Sequence, residues 1–283
     1  MDTINEIDVL RYRLKEAVRN GKSVGLVPTM GYLHEGHLSL IKRARKENDL
    51  VVVSLFVNPT QFGPGEDLDS YPKDLEKDAS LCESEGADLL FAPDKDEMYY
   101  EDYGTYVDVT GELTKGLCGK TRPTHFGGVT SVVSKLFNIV SPDRAYFGQK
   151  DAQQVAVIKR MVRDLNFDIE IVVCPIVREA DGLAKSSRNI YLTKEEREAA
   201  LVLNRSLKEA ADLVSSGERD PLKIKTMIED RIRKEPLSEI DYVELVDADR
   251  IEHMEKLKGN VLIALAVRFG KARLIDNIRL EVE

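Results

Sequence analysis

Apolar positions along this chain keep two different periods, and the order in which they follow one another divides it. Ile7, Leu10, Leu14, Ala17 and Val18 recur at helical spacing. They predict an amphipathic helix over 7–20, with Gly21 placed to close it. Residues 24–27 read as a short buried strand stopped by Pro28. Leu38, Leu40, Ile41 and Ala44 then mark one face of a helix reaching about 46. The unbroken run LVVVSLFV at 50–57 predicts a central parallel strand covered on both faces. A helix over 73–84 and a strand at 87–92 follow, with a further short strand at 105–109. Residues 117–128 show no hydrophobic period and read as a loop. A buried helix at 129–140, a strand at 144–147, a helix from 151 or 152 to 165 and a strand at 169–177 complete this half. Repeated strand–helix alternation predicts an α/β fold, a doubly wound, Rossmann-like parallel sheet.

After Val177 the order of elements changes. Thr193 and Glu196 form a capping box for a helix to about 216, and Asp220-Pro221 opens another. Strands at 242–246, 261–267 and 273–275 come last. Helices followed by strands predict a separate α+β unit. The expected division is a nucleotide-binding domain over 1–178 and a smaller C-terminal α+β domain over 179–283 that closes over an active site between them.

Candidate chemistry gathers at the predicted ends of strands. His34-Glu35-Gly36-His37 stands where a helix begins, just beyond a strand and Gly31. Unpaired backbone N–H groups and the helix dipole favour an anion there, and a neutral imidazole still donates an N–H to a phosphate oxygen. The zinc-protease pattern HExxH needs its histidines four apart, and here they are three apart. A second strand–glycine–helix start, Gly148-Gln149-Lys150-Asp151, adds a lysine suited to a phosphate, with Gln154 one turn further on. Asn58 and Gln61 follow the central strand directly. They read equally as holders of a polar substrate and as loop caps. Lys120, Arg122 and His125 beside Gly127 and Gly128 offer a possible anion cradle. The loop at 178–189 carries Lys185, Ser186, Ser187 and Arg188.

Composition narrows the field. Of the 283 residues 42% are hydrophobic and 32% charged, so the chain is globular, and its net charge of −9 argues against non-specific nucleic-acid binding and against anionic membrane surfaces. No apolar run reaches the ~18 residues of a membrane span. No signal peptide is evident, and the expected setting is the cytoplasm. Cys82, Cys118 and Cys174 lie far apart, which disfavours a disulfide framework or zinc site and leaves a structural reading, as for His253 at the surface.

The segments VPTMGYLHEGHLSL, FVNPTQFGPGEDLDSYPKDLEKD, RPTHFGGVTSVVSKLFNIVSPDRAYFGQKDAQQ, DGLAKSSRNIYL and ALAVRFGKARLIDNI, in this order, resemble the pantoate–β-alanine ligase family of the HIGH-type nucleotidyltransferases. The resemblance runs from about residue 21 to 278. It implies ATP-dependent condensation of pantoate with β-alanine through a pantoyl-adenylate, with release of AMP and pyrophosphate. On this likeness Met30, Gly31, Tyr32, Leu33, His34, Glu35, Gly36 and His37 bind ATP. Gly148, Gln149, Lys150, Asp151, Val177, Lys185, Ser186, Ser187 and Arg188 complete that site. His34, His37, Lys150 and Arg188 are the implied catalytic groups. Gln61 and Gln154 hold pantoate, joined by Asn58, Tyr71 and Arg122, and Asp78 lies near Mg²⁺. The family is a cytoplasmic homodimer. Two positions depart from its usual pattern: Lys185 stands where members have Met, and Thr124 where many have Gly. A nucleotidyltransferase that stops at the nucleotide-linked product and a nucleotide-binding regulatory module are the rival functions. The acidic charge and the lack of an anticodon-type domain disfavour an aminoacyl-tRNA synthetase.

Overall fold

A computed structural model describes all 283 residues. The chain runs β1 (Asp2–Ile4), α1 (Ile7–Arg19), β2 (Val24–Thr29), α2 (Glu35–Glu47), β3 (Leu50–Leu55), α3 (Leu75–Ser84), β4 (Leu89–Phe91), α4 (Lys95–Met98), α5 (Cys118–Thr121), α6 (His125–Val140), β5 (Arg144–Gly148), α7 (Ala152–Asp164) and β6 (Glu170–Cys174). It continues through α8 (Lys194–Ala200), α9 (Val202–Ser215) and α10 (Pro221–Ile232) to β7 (Ser238–Asp247), β8 (Gly259–Phe269) and β9 (Ala272–Val282).

Strands β1 to β6 form one parallel sheet in the order β1-β4-β3-β2-β5-β6. Starting from β2, the chain builds outward through β3 and β4 on one side and β5 and β6 on the other. The crevice between the carboxyl ends of β2 and β5 is therefore the topological switch point, where ligands of such sheets bind. The apolar run at 50–57 is the central β3, and Val51, Val52 and Val53 are fully buried, as a strand covered on both faces requires. Leu40, Ile41 and Ala44 of α2 pack with Val27, Val51, Val53 and Leu90 of the sheet. Each such buried Val, Leu or Ile side chain contributes about 1.5–3 kcal/mol.

The last three strands form a separate antiparallel sheet, β7-β8-β9. Its core joins Val261, Ile263, Leu265 and Val267 of β8 to Leu203, Leu207 and Ala210 of α9 and to Ile224, Ile228 and Ile232 of α10. Period two on the strand meets a period of three to four on the helices.

The chain separates into two compact units. The first comprises Met1–Val109, Arg122–Gln149 and Val157–Pro175; the second comprises Thr110–Thr121, Lys150–Ala156 and Ile176–Glu283. The expected boundary at 178 lies close to the last crossing, but two earlier segments also belong to the second unit.

Several local expectations need correction. No strand forms at 105–109. Ser131 Oγ accepts from Val107 N at 3.0 Å and Thr130 Oγ1 donates to Val107 O at 2.5 Å, so side chains of α6 satisfy this extended segment in place of a neighbouring strand. The loop expected at 117–128 contains α5, and α6 starts four residues early, at His125. The single helix expected over 193–216 divides at Leu201, whose N–H bonds the carbonyl of Glu198, a tightened three-residue turn. Pro175 follows the end of β6, which is shorter than the run 169–177. Strand β9 continues well past 275, and the sequence shows no sign of the edge strand β1.

Candidate active site

Strand β2 ends at Thr29, whose hydroxyl donates to Ser54 O at 2.9 Å and accepts from Gly31 N at 3.3 Å. The chain then turns sharply. Gly31 has φ +90° and Tyr32 has φ +52°. A Cβ on Gly31 would lie 2.9 Å from Leu55 Cδ2 and 3.2 Å from Asp78 Oδ2, so only glycine fits. The turn delivers His34 as the N-cap of α2, in extended conformation.

The two imidazoles are held by the backbone. Gly36 N donates to His34 Nδ1 at 3.1 Å, and His34 N donates to His37 Nδ1 at 3.3 Å. With Nδ1 accepting, each neutral ring carries its proton on Nε2. The ring centroids are 4.1 Å apart, tilted by 36°. Two adjacent N–H donors thus stand over a helix N-terminus at the switch point, an arrangement that receives phosphate oxygens. Glu35, between them, is exposed.

Asp78 comes from α3. It is 1% exposed, and its two oxygens accept from Tyr32 N and Leu33 N, each at 2.7 Å. Burial pushes its pKa up, against the pull of these two backbone bonds. The resemblance suggests Mg²⁺ near this carboxylate, and the geometry does not fit a direct ligand. Mg²⁺ demands octahedral coordination and usually keeps several waters, whereas Asp78 is sealed and engaged on both oxygens. No group of three or more His, Cys, Asp or Glu side chains is arranged to hold a metal.

The Asn58 to Gln61 segment follows β3. Asn58, 1% exposed, accepts from Tyr99 Oη at 2.8 Å and from Thr60 Oγ1 at 3.0 Å, and it donates to Gly128 O at 3.1 Å and Gln61 Oε1 at 3.2 Å. Of the two readings open for Asn58, the loop cap is what these bonds describe. Gln61 is thereby orientated: its carbonyl is taken, and its NH₂ points at the thioether of Met30 at 3.2 Å, a weak acceptor. That amide group remains well suited to a stronger acceptor such as a carboxylate or hydroxyl. Gly128 permits the packing, since a Cβ there would lie 2.4 Å from Thr60 O. Tyr71 is buried, edge-on to Phe62 at 6.0 Å.

Arg122 forms a bidentate pair with Glu66 at 2.6 and 2.5 Å and contacts His125 Nε2 at 3.1 Å. His125 Nδ1 donates to Gln61 O at 2.9 Å. Burial raises the Glu66 pKa, but the hydrogen bond and charge of Arg122 outweigh it and leave the carboxylate below its usual range. Of the expected anion cradle, Arg122 is neutralised by Glu66, and Lys120, which is exposed, belongs to the second unit. Arg122 and His125 brace the Gln61 backbone instead.

Gly148 closes β5 and, with Gln149, belongs to the first unit; Lys150 and Asp151 belong to the second. Within the second unit Lys150 and Ser186 line one small cavity with Asn189 and Asp276, so the structure unites two of the predicted segments. Val177 and Lys185 meet through Lys185 N to Val177 O at 2.9 Å. Ser186 Oγ caps the following turn by accepting from Arg188 N at 3.3 Å, and Ser187 opens that turn. Gln154 lies half-buried in the first turns of α7.

Four supporting residues escaped the sequence reading. Asp276, 3% exposed, takes Arg178 bidentately at 2.7 and 2.9 Å, and Asn277 Nδ2 donates to Lys150 O at 3.0 Å. Tyr99 orientates Asn58. Their signal was a polar pair inside an apolar strand and a tyrosine in a loop, neither of which names a partner.

The family model for pantoate-beta-alanine ligase matches residues 2–279. The chain belongs to the pantoate–β-alanine ligase family. It is 58% identical to the pantothenate synthetase of Acetivibrio thermocellus over 282 residues, covering 100% of both chains. The crystal structure of pantothenate synthetase from Thermus thermophilus superposes with a TM-score of 0.94 at 47% identity, over 98% of this chain and 99% of that one. A pantoate-beta-alanine ligase from Francisella tularensis, complexed with beta-gamma ATP and beta-alanine, gives a TM-score of 0.80 at 34% identity, over 98% and 97% of the two chains.

Proposed function

We propose that this chain condenses pantoate with β-alanine at the expense of ATP, forming pantothenate, AMP and pyrophosphate. Family membership over residues 2–279 supports the overall reaction. The observation that supports its chemistry is the pair of Nε2–H donors of His34 and His37 at the switch point of the sheet.

In the first step the pantoate carboxylate attacks the α-phosphorus of ATP, and pyrophosphate leaves. His34 and His37 donate to phosphate oxygens that gain charge, Lys150 and Arg188 serve the same reaction by neutralising the leaving group, and Lys185 lines the ATP site beside them. Met30 to Leu33, Gly36, Gly148 to Asp151, Val177, Ser186 and Ser187 complete the ATP site. In the second step the β-alanine amine attacks the acyl carbon of the pantoyl-adenylate, and AMP leaves. The Gln61 amide, fixed by Asn58, holds pantoate together with Gln154, and Tyr71 forms part of the surrounding wall. Arg122 acts on this pocket by bracing Gln61. Bound with ATP, Mg²⁺ would supply charge neutralisation at the phosphates, since no cluster of three or more His, Cys, Asp or Glu side chains of the chain is arranged to hold it.

No helix is long and apolar enough to cross a membrane. A cytoplasmic homodimer is our reading of the assembly, on the family resemblance. Light scattering at micromolar protein tests it, with twice the chain mass expected.

The deciding assay is pantoate-dependent exchange of pyrophosphate into ATP, followed by AMP and amide formation on adding β-alanine. Exchange without amide would favour a plain nucleotidyltransferase. His37→Ala removes transition-state donation and is expected to lower kcat by 10²–10³-fold, about 3–4 kcal/mol. Near-normal turnover in that variant refutes the role of His37.

A further inference from the structure

We propose that Asp78 is a positioning residue and not a metal ligand: it is a built-in anion that fixes the Gly31–Leu33 turn and so aims His34 and His37. The inference rests on the reading that these histidines act on the nucleotide.

Three observations meet at this carboxylate. Its two oxygens accept from consecutive backbone N–H groups, Tyr32 and Leu33, both at 2.7 Å. Two neighbouring N–H groups aimed at one anion form the concavity that in other loops receives a phosphate. Here the protein fills it from its own α3. Next, Tyr32 holds φ +52°, a left-handed conformation that a side chain disfavours, and that persists only where the surroundings impose it. The Asp78 bonds fall on Tyr32 and on the residue after it. Finally, Leu33 is followed directly by His34, whose own N–H orientates His37. An error in the turn therefore passes to both imidazoles within two residues.

The arrangement has a chemical consequence. The Tyr32 and Leu33 amides are already bonded to a carboxylate, so they are not the donors that meet ATP. Any contribution of these two residues to nucleotide binding comes from their other atoms, and the phosphate-facing donors are the imidazoles.

The test is Asp78→Asn, a near-isostere that turns one acceptor oxygen into an N–H donor facing a backbone N–H. Losing one charge-assisted bond and creating that opposition is expected to lower kcat about tenfold or more. The KM for pantoate and the Mg²⁺ concentration for half-maximal rate should stay within about twofold. With four histidines in the chain, imidazole ¹⁵N spectra are tractable: the His34 and His37 signals should move, and those of His125 and His253 should not. A tenfold rise in half-saturating Mg²⁺ with unmoved histidine signals overturns the proposal in favour of a metal ligand. A lower melting temperature with unchanged kcat and unchanged histidine signals overturns it in favour of a merely structural role.

Should the variant not fold, the wild-type protein gives the answer. Titration with MgCl₂ alone should leave the Tyr32 and Leu33 amide signals in place, and a saturable shift of either overturns the proposal. If His37→Ala proves active while Asp78→Asn still moves both imidazole signals, the catalytic reading of His37 fails and the positioning role of Asp78 stands.

Discussion

Substituting Gly128 by Ala tests whether the pocket proposed for pantoate depends on the close approach of α6 to the Asn58–Gln61 turn. The added Cβ would lie 2.4 Å from Thr60 O, 2.5 Å from Thr60 C and 2.6 Å from Gln61 Cα. All three are backbone atoms, so no side chain can swing aside. Ordinary contact needs about 1 Å more, and the turn has to retreat by that amount. Such overpacking costs about 1–3 kcal/mol. The retreat also stretches the bond from Asn58 to Gly128 O, now 3.1 Å, which frees the Asn58 amide to turn and so loosens its 3.2 Å hold on Gln61 Oε1. Losing one substrate hydrogen bond of about 0.5–1.5 kcal/mol raises the pantoate KM roughly 2- to 12-fold. The imidazole pair is held by separate bonds, so the KM for ATP should change less than twofold. Initial-rate kinetics with each substrate varied in turn, read beside a melting curve, decide it. A lower melting temperature with an unaltered pantoate KM, or equal rises in both KM values, would refute the reasoning.

Other perturbations probe the supporting bonds. Glu66 has a lowered pKa, so its contribution to stability is present above the ordinary value of 4.5 and is lost as pH falls through the folded value. Glu66→Gln should therefore flatten the loss of stability below about pH 4.5, as measured by urea melts across pH; parallel curves would contradict the pairing. Arg178→Ala strands the buried Asp276 carboxylate and should cost about 3–5 kcal/mol in denaturant unfolding; a loss under 1 kcal/mol would show that water reaches Asp276. Lys185→Met installs the residue that the family resemblance leads one to expect there and should leave kcat within about threefold; a large drop would mean that this chain relies on the extra charge.

The sequence showed the sheet, the His-bearing helix start and the lysine at the second helix start, because each is encoded locally. Hydrophobic runs mark β3, and glycine followed by helical periodicity marks the turn before α2. What stayed hidden was carried by distant partners. Asp78 looks like one of several carboxylates on a solvated helix face, and only the fold brings it to a turn more than forty residues earlier. Strand β9 looked short because Asp276 and Asn277 interrupt its apolar pattern, yet both are buried and paired with Arg178 and with the Lys150 carbonyl. The segment 105–109 has strand composition, but its hydrogen bonds are taken by Ser131 and Thr130.

The interleaving of the two units along the chain has a consequence for biosynthesis. The first unit ends at Pro175, whereas the second draws on residues as early as Thr110 and as late as Glu283. Its Gln153 ties the Cys118 amide to the carbonyls of Leu113 and Gly116, and strand β9 pairs along the whole of β8. The same stretch meets the last sheet through Cys118, whose Sγ lies 3.4 Å from Tyr242 Oη and 3.7 Å from the Arg273 guanidinium, so during translation those two contacts form only after β7 and β9 have left the ribosome. A gene fragment cut after Pro175 carries the whole first unit but also two segments of the second without the rest of it, and a fragment beginning at Ile176 lacks both of those segments, so the second unit cannot be prepared by simple truncation.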